Sequence, residues 1–197
     1  TAVAAEDLGF GHPVYDSLVV LGSDEAPAAF DRLSGEIHAS VRTAVAADVR
    51  LVRHIVIEHI ARDDNALSVW AELLGVWSEF DEAPGIARID TDMTGAVGGA
   101  QFALGENAVA GIAAAFTDSN VEMDQRLSRA DVRSLQVMGY FDLIAGAVNL
   151  KAGAGYAHSS IKTRREAIFT GFDETLLADY SGETLHAFAE IGHELPL

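Results

Sequence analysis

The stretch Ser134–Leu143 (SLQVMGYFDL) decides the fold class of this chain, because two kinds of residue alternate along it without a break. Leu135, Val137, Gly139, Phe141 and Leu143 occupy every second position, and Ser, Gln, Met, Tyr and Asp lie between them. Successive side chains of a β-strand point to opposite faces of the sheet. The pattern therefore predicts a strand with one apolar face and one mostly polar face.

Five further segments are read as strands. Val148–Tyr156 and Thr184–Glu194 repeat the alternation, Thr94–Leu104 and Ala108–Thr117 are rich in Gly and Ala, and Leu67–Phe80 carries Trp70 and Trp77. Together these segments predict an antiparallel meander of about six strands that occupies residues 65–197.

The connections between these segments differ in length. Gly105–Asn107 and the region around Gly146 read as tight turns, whereas Asp81–Asp92, Asp118–Arg133 and Ser159–Glu183 read as long acidic loops. Short turns on one side and long loops on the other are typical of a β-barrel in the outer membrane. The loop pattern therefore predicts a membrane-type barrel with its long loops outside the cell.

Composition excludes several classes of function. The formal charge of −17 argues against a nucleic-acid partner, which needs a basic surface. Cysteine is absent, so disulfides, thiol catalysis and thiolate metal sites are excluded. No apolar run is long enough for a transmembrane helix. The chain starts at Thr1 without Met, and we expect it to be a processed piece of a longer protein.

Helical periodicity precedes the strands. His12–Leu21 reads as a short helix, and apolar residues from Ala26 to about Arg62 recur at helical spacings. A helix of that length would span roughly 55 Å, so a bend is expected, and Gly35 is its natural place. The predicted division is a linker over 1–25, a long helix over 26–62 and strands over 65–197.

Motifs for catalysis and metal binding are missing. His54 and His59 do not share a helix face, and His186 and His193 would point to opposite faces of a strand. The Gly-x-Ser-x-Gly motif and phosphate-binding loops do not occur. We therefore expect no enzyme activity, no metal and no cofactor.

Polar residues on the helix and strands instead suggest that the helix lies in a polar tunnel. Charges on the helix would pair with polar residues on the tunnel wall, although a solvated outer helix face is the alternative. Pairs in a water-filled lumen are worth about 0–1 kcal/mol each, so they would position the helix more than stabilise it. The candidate residues are Arg42, Asp48, Arg50, Arg53, Glu72, Gln101, Gln136, Asp142, Lys151, His186 and Glu190.

Several stretches resemble the C-terminal translocator domain of autotransporters, the type V secretion proteins of Gram-negative bacteria. Ala26–Val45 (APAAFDRLSGEIHASVRTAV) is similar to the junction before the barrel, and Leu33–Ser40 is its most specific part. Val69–Trp77, Gly105–Phe116 and Leu185–Leu195 resemble strands of the same domain.

The resemblance implies a twelve-stranded outer-membrane barrel with a helix through its lumen. Such a barrel exports or displays an N-terminal passenger, is surrounded by outer-membrane lipid and is inserted by the barrel-assembly machinery. Some relatives release the passenger with an Asn in the lumen helix, but no Asn lies between Thr1 and Arg62.

The chain departs from this pattern in two respects. It offers six predicted strands, and it ends in Glu194–Leu197 without the terminal aromatic residue of such barrels. Because open sheet edges are not tolerated in lipid, we expect a fragment, or closure by pairing with a second copy.

Two other functions stay open at this point. One is a soluble β-sheet binding module with acidic loops, in which the helix would cover the apolar strand face. The other is an esterase or protease passenger, which the missing nucleophile motif disfavours. The strand face that the helix covers distinguishes the barrel from the soluble module. In the barrel, the apolar face contacts lipid and the helix contacts the opposite face.

Overall fold

The computed structural model describes residues 2–60, 67–83 and 87–193. Four helices come first: α1 (Ala2–Leu8), α2 (Pro13–Val19), α3 (Ala26–Leu33) and α4 (Glu36–His59). Six strands follow: β1 (Leu67–Phe80), β2 (Ile89–Ala103), β3 (Ala108–Met123), β4 (Ser128–Ala145), β5 (Val148–Phe169) and β6 (Phe172–His193). Within the described ranges, no helix combines the length and apolar character that membrane crossing requires.

The strands form one antiparallel sheet in the order β1-β2-β3-β4-β5-β6, so every strand pairs with its neighbour in sequence. This arrangement confirms the predicted meander. Between β1 and β6 each strand has two partners, and these two outer strands form the edges of the described sheet.

The long helix is interrupted where its glycine predicted a bend. Helix α3 ends at Leu33, Ser34 is extended, and α4 begins after Gly35. Helix α2 covers most of the predicted short helix, whereas α1 was not predicted. Arg62, the expected end of the long helix, lies outside the described residues.

Two of the three predicted long loops are wrong. Asp118–Arg133 is mostly strand: β3 runs to Met123, and β4 starts at Ser128 after one 3₁₀ turn. Ser159–Glu183 likewise belongs to β5 and β6, which meet at Gly171 with a φ of +82°, a backbone conformation that favours glycine.

The alternation continues through these segments, but the exposed positions change from apolar to charged residues. These strand extensions are therefore as rich in charged residues as a loop, which is why the sequence predicted loops there. Only the link after β1, where a gap in the described residues falls, is longer than a tight turn.

Helix α4 packs on one face of the sheet, here called the inner face. Its buried apolar residues form two clusters with inward side chains from β2, β3, β4 and β5. One cluster surrounds Ile37 and Val41 with Val121 and Val132, and the other surrounds Val52 and Val56. The helix is therefore held across the middle of the sheet along its length.

Candidate functional site

The outer face of the sheet is apolar and uncovered, whereas the inner face lies under the helix. On β4, the outward residues Leu135 and Val137 are 57% and 50% exposed, and Leu185 on β6 is 83% exposed. The inward residues Ser134, Gln136 and others of β4 are buried. An exposed apolar face of this extent marks an interaction with lipid or protein.

Polar side chains lie beneath the middle of α4. Asp48 is 3% exposed on the inward side of the helix, and its Oδ2 accepts a hydrogen bond of 2.6 Å from Ser119 Oγ. Nearby on the sheet, Ser134 and Ser159 are hydrogen-bonded at 2.7 Å. The described residues offer no hydrogen-bond partner to either amide atom of Gln136. The interior is thus partly polar, as a lumen wall would be.

An arginine clamps the start of α4 to α3. Arg126, in the turn between β3 and β4, lies 2.6 Å from Asp31 and 2.9 Å from Glu36. Partial burial alone would lower the pKa of Arg126, but hydrogen bonds to the two carboxylates raise it above the ordinary value. From β5, Arg165 donates to Ser34 O at 2.6 Å. The break between the helices is therefore held from the turn between β3 and β4 and from strand β5.

The N-terminal helices attach to the turn between β5 and β6. Ser17 Oγ donates to Gly171 O at 2.9 Å, and Arg32 donates to Ile168 O. His38, in the first turn of α4, is 3.0 Å from the hydroxyl of Tyr180 on β6. We call this end of the sheet the Arg126 end.

The C-terminal end of α4 is held by contacts between aromatic side chains. His59 stacks on Trp70 with ring centroids 4.1 Å apart, and its Nε2 lies 3.8 Å from Glu72. The indole N–H of Trp70 donates to the hydroxyl of Tyr140 at 3.4 Å. Lys151 donates to the carbonyl of Ile60 at 3.4 Å. This end faces the turns at Gly105 and Gly146.

The candidate residues on the strands share the inner face. Strand register and burial place all of them on the side that α4 covers, including Glu72, for which the sequence was ambiguous. They are Glu72, Gln101, Gln136, Asp142, Lys151, His186 and Glu190. Glu72 and Glu190 are nevertheless exposed to solvent.

The candidate residues on the helix divide into two groups. Asp48 points into the sheet, whereas Arg42 and Arg50 are exposed on the other side of α4. Arg53 is half-buried. Among the described residues none of the three arginines forms an ion pair with the sheet, so the structure does not bring the expected partners together.

Sequence reasoning missed the strongest contacts of the helix. Arg126, Arg165 and Ser119 lie in segments that were read as loops, so their inward direction could not be assigned. The sequence placed His59 on the helix and Trp70 on the first strand, but it gave no sign that their rings stack. Continued alternation in 118–133 was the signal that could have placed Ser119 on the inner face. In the described parts of the chain, no cluster of three or more His, Asp or Glu could hold a metal.

Comparisons with known proteins agree with this geometry. The model of the autotransporter beta-domain matches residues 69–197. Two extracellular serine proteases of Serratia marcescens are each 26% identical, and the match covers 93% of this chain and 19% of each protease. The chain thus spans about a fifth of the length of these relatives.

The fold of a solved structure is also similar. The translocator domain of the autotransporter NalP from Neisseria meningitidis matches with a TM-score of 0.66 and 15% identity. That match covers 83% of this chain and 55% of the NalP domain. The chain belongs to the autotransporter beta-domain family, so it is an outer-membrane transport module at the bacterial cell surface.

Proposed function

We propose that α4 is the plug of this translocator and that a passenger is linked on the N-terminal side of the helices. The observation that carries the proposal is which face the helix covers. It packs on the face that carries Ser134, Gln136 and Asp142 among apolar residues, and the face with the exposed apolar residues stays open. A soluble module would bury Leu135, Val137 and Leu185 under the helix. Here these residues would meet lipid instead.

The proposed division of the chain is a linker over 1–25, a plug over 26–62 and barrel strands over 65–197. The Arg126 end would then lie toward the cell surface, because α4 begins there and the passenger side precedes it. The turns at Gly105 and Gly146 would lie in the periplasm. Insertion would depend on the barrel-assembly machinery. Pairing with a second copy is one way in which the two sheet edges would be covered.

The exposed arginines of α4 would face the part of the lumen opposite this sheet. Their proposed task, with the inward polar residues, is to position the plug. Charge reversal at Arg50 and Arg53 should therefore change pore conductance in planar bilayers, lower resistance to heat, or both. Unchanged conductance and unchanged heat resistance would count against this role.

Export is tested with an epitope fused ahead of Ala2 in the intact protein. Whole cells should bind antibody against the epitope, and added protease should remove it while the cells stay closed. A matched control carries the epitope in the turn after Gly146, where it should be protected. An epitope ahead of Ala2 that stays protected, in a protein that has inserted, would contradict the proposal.

A further inference from the structure

The apolar outer face ends at one level on neighbouring strands. On β3 and β4 its last members toward the Arg126 end are Phe116 and Leu135, which lie directly opposite each other. On β6 the outward Leu177, opposite Arg164, is 75% exposed beyond this level. The next outward pair is Asp118 and Arg133, whose side chains are 3.0 Å apart. Beyond this level β3 and β4 continue, but their outward side chains are charged or polar.

The charges above this level are sorted by strand. Outward basic residues on the described strands occur only on the adjacent β4 and β5: Arg129, Arg133, Lys162 and Arg164, here called the basic stripe. Asp131, Glu166 and His158 lie beside them. The charged outward side chains on the other described strands are carboxylates: Glu79, Asp90, Asp92, Asp118, Glu122, Asp173, Asp179 and Glu183. A chain with 13 basic residues thus places four of them in one exposed stripe.

The basic stripe holds three cations in exposed surface pairs and one, Arg129, without a carboxylate partner among the described residues. Arg129 and Arg164 are directly opposite on paired strands, an arrangement of like charges that is unfavourable without a counter-ion. Arg133, Lys162 and Arg164 hold carboxylates only as exposed surface pairs, at 3.0, 3.9 and 2.9 Å. Such pairs contribute little and are exchanged easily. In the described part of the chain, Arg129 forms no ion pair.

We propose that the basic stripe binds the phosphate groups of an anionic glycolipid in the outer leaflet of the membrane. The inference rests on the proposed orientation, which puts the Arg126 end at the cell surface. The stripe continues directly from the lipid-facing surface, and its charge is complementary to phosphate. Arginine presents a planar fork of donors that fits phosphate oxygens in pairs.

The height of the stripe fits a lipid headgroup. Strands rise about 3.3 Å per residue and tilt about 45° in such barrels. Arg133, two residues beyond Leu135, then lies about 5 Å above the apolar surface, and Arg129 lies about 14 Å above it. The carboxylates on the flanking strands would confine the lipid to β4 and β5.

The test measures heat-induced unfolding of the intact protein after insertion into vesicles, read as the loss of its heat-modifiable mobility on gels. The vesicles contain phosphatidylcholine alone, phosphatidylcholine with lipopolysaccharide, or phosphatidylcholine with phosphatidylglycerol at equal surface charge. Lipopolysaccharide should raise the midpoint by about 5 °C, the size expected for saturating binding to a domain of this length. Phosphatidylglycerol should give a clearly smaller rise.

Two variants locate the effect. Arg129→Gln, Arg133→Gln, Lys162→Gln and Arg164→Gln together should remove the rise, whereas Arg129→Lys, Arg133→Lys, Lys162→Arg and Arg164→Lys keep the charge and should retain most of it. If the glutamine variant inserts poorly, the pair Arg129→Gln and Lys162→Gln should halve the rise.

An undiminished rise in the glutamine variants, no rise in the wild type, or equal rises in both anionic lipids would overturn the assignment. The proposed function fails separately: it fails if the wild type does not insert into any of the vesicles.

Discussion

The two faces of strand β4 follow opposite rules over the same ten residues. On the inner face Ser134, Gln136 and Asp142 are buried under a helix, while on the outer face Leu135 and Phe141 are exposed. An antiparallel sheet in water does the reverse, with its apolar face on the core and its polar face in solvent. The reversal indicates that the environment outside this sheet is apolar. The interior is a mixed surface, polar at Gln136 and Asp142 and apolar where Met138 packs with α4.

The sharpest way to break this comparison is a charge at the centre of the outer face. Ile112→Lys, outward on β3 opposite Gly139 at the middle of the outward apolar residues of β4, should cost about 2–4 kcal/mol of folding free energy, because lysine is expensive near the midplane of a bilayer. Vesicle insertion, measured as the fraction with heat-modifiable mobility, should fall strongly.

The matched control for Ile112→Lys is Ser160→Lys, also exposed and outward but above the apolar surface. It should insert like the wild type, because a lysine at the level of the interface costs close to zero free energy. Equal insertion of the two variants would mean that the outer face does not meet lipid.

The Arg126 end offers the next largest effect. Arg126→Gln removes a side chain, 12% exposed, that holds both Asp31 and Glu36. Hydrogen bonds to charged groups contribute about 1.5–3 kcal/mol, so α3 should detach from α4 more often. Limited proteolysis should then cut faster near Ser34 while the sheet stays intact.

Arg88→Gln is the control for this end, because Arg88 also bridges two carboxylates, Glu79 and Asp90, but is exposed. Its loss should leave cleavage near Ser34 unchanged. The same cleavage rate in both variants would show that Arg126 does not fix the break between the helices.

The sequence predicted those elements that follow from a pattern of neighbouring residues. It did not predict the full length of strands whose outward side passes from lipid into water. The period of two in Ser134–Leu143 and the break at Gly35 needed no tertiary information. The strand extensions Asp118–Met123 and Ser159–Phe169 were lost because their outward residues leave lipid for water and become charged. Composition changes along these strands while the period of two does not, so the period is the better indicator of where they end.

For the candidate site, the sequence indicated which face of the sheet the polar strand residues share. It did not indicate which helix residue each of them contacts. Alternation placed Gln101, Gln136 and Asp142 on the side of the helix correctly. Which helix residue meets which strand residue depends on how the helix is rotated and how deep it lies. The helical pattern leaves both undetermined, and in the structure Arg42 and Arg50 lie on the side of α4 away from the six described strands.

Glycine substitutions sharpen the comparison on a smaller scale. Gly111 faces inward, and an added Cβ would collide with the ring of Tyr140, the hydrogen-bond acceptor of Trp70. Gly111→Ala should therefore cost about 1–3 kcal/mol, as overpacking does. Gly139→Ala, outward on the neighbouring strand with open space around its Cβ, should be neutral. Urea unfolding in vesicles compares them, and equal midpoints would contradict a tightly packed interior.

The smallest expected effect concerns the polar centre of the interior. Asp48→Ala would leave the Ser119 hydroxyl without its acceptor under the helix, at a cost of about 1 kcal/mol. Asp48→Asn keeps an acceptor oxygen at the same place and should cost less. In a double-mutant cycle with Ser119→Ala, the alanine variants should be coupled, because each removes one half of the same hydrogen bond. Additive effects in urea unfolding would show that Asp48 is held by the apolar packing around it, and the inner face would then be polar in composition only.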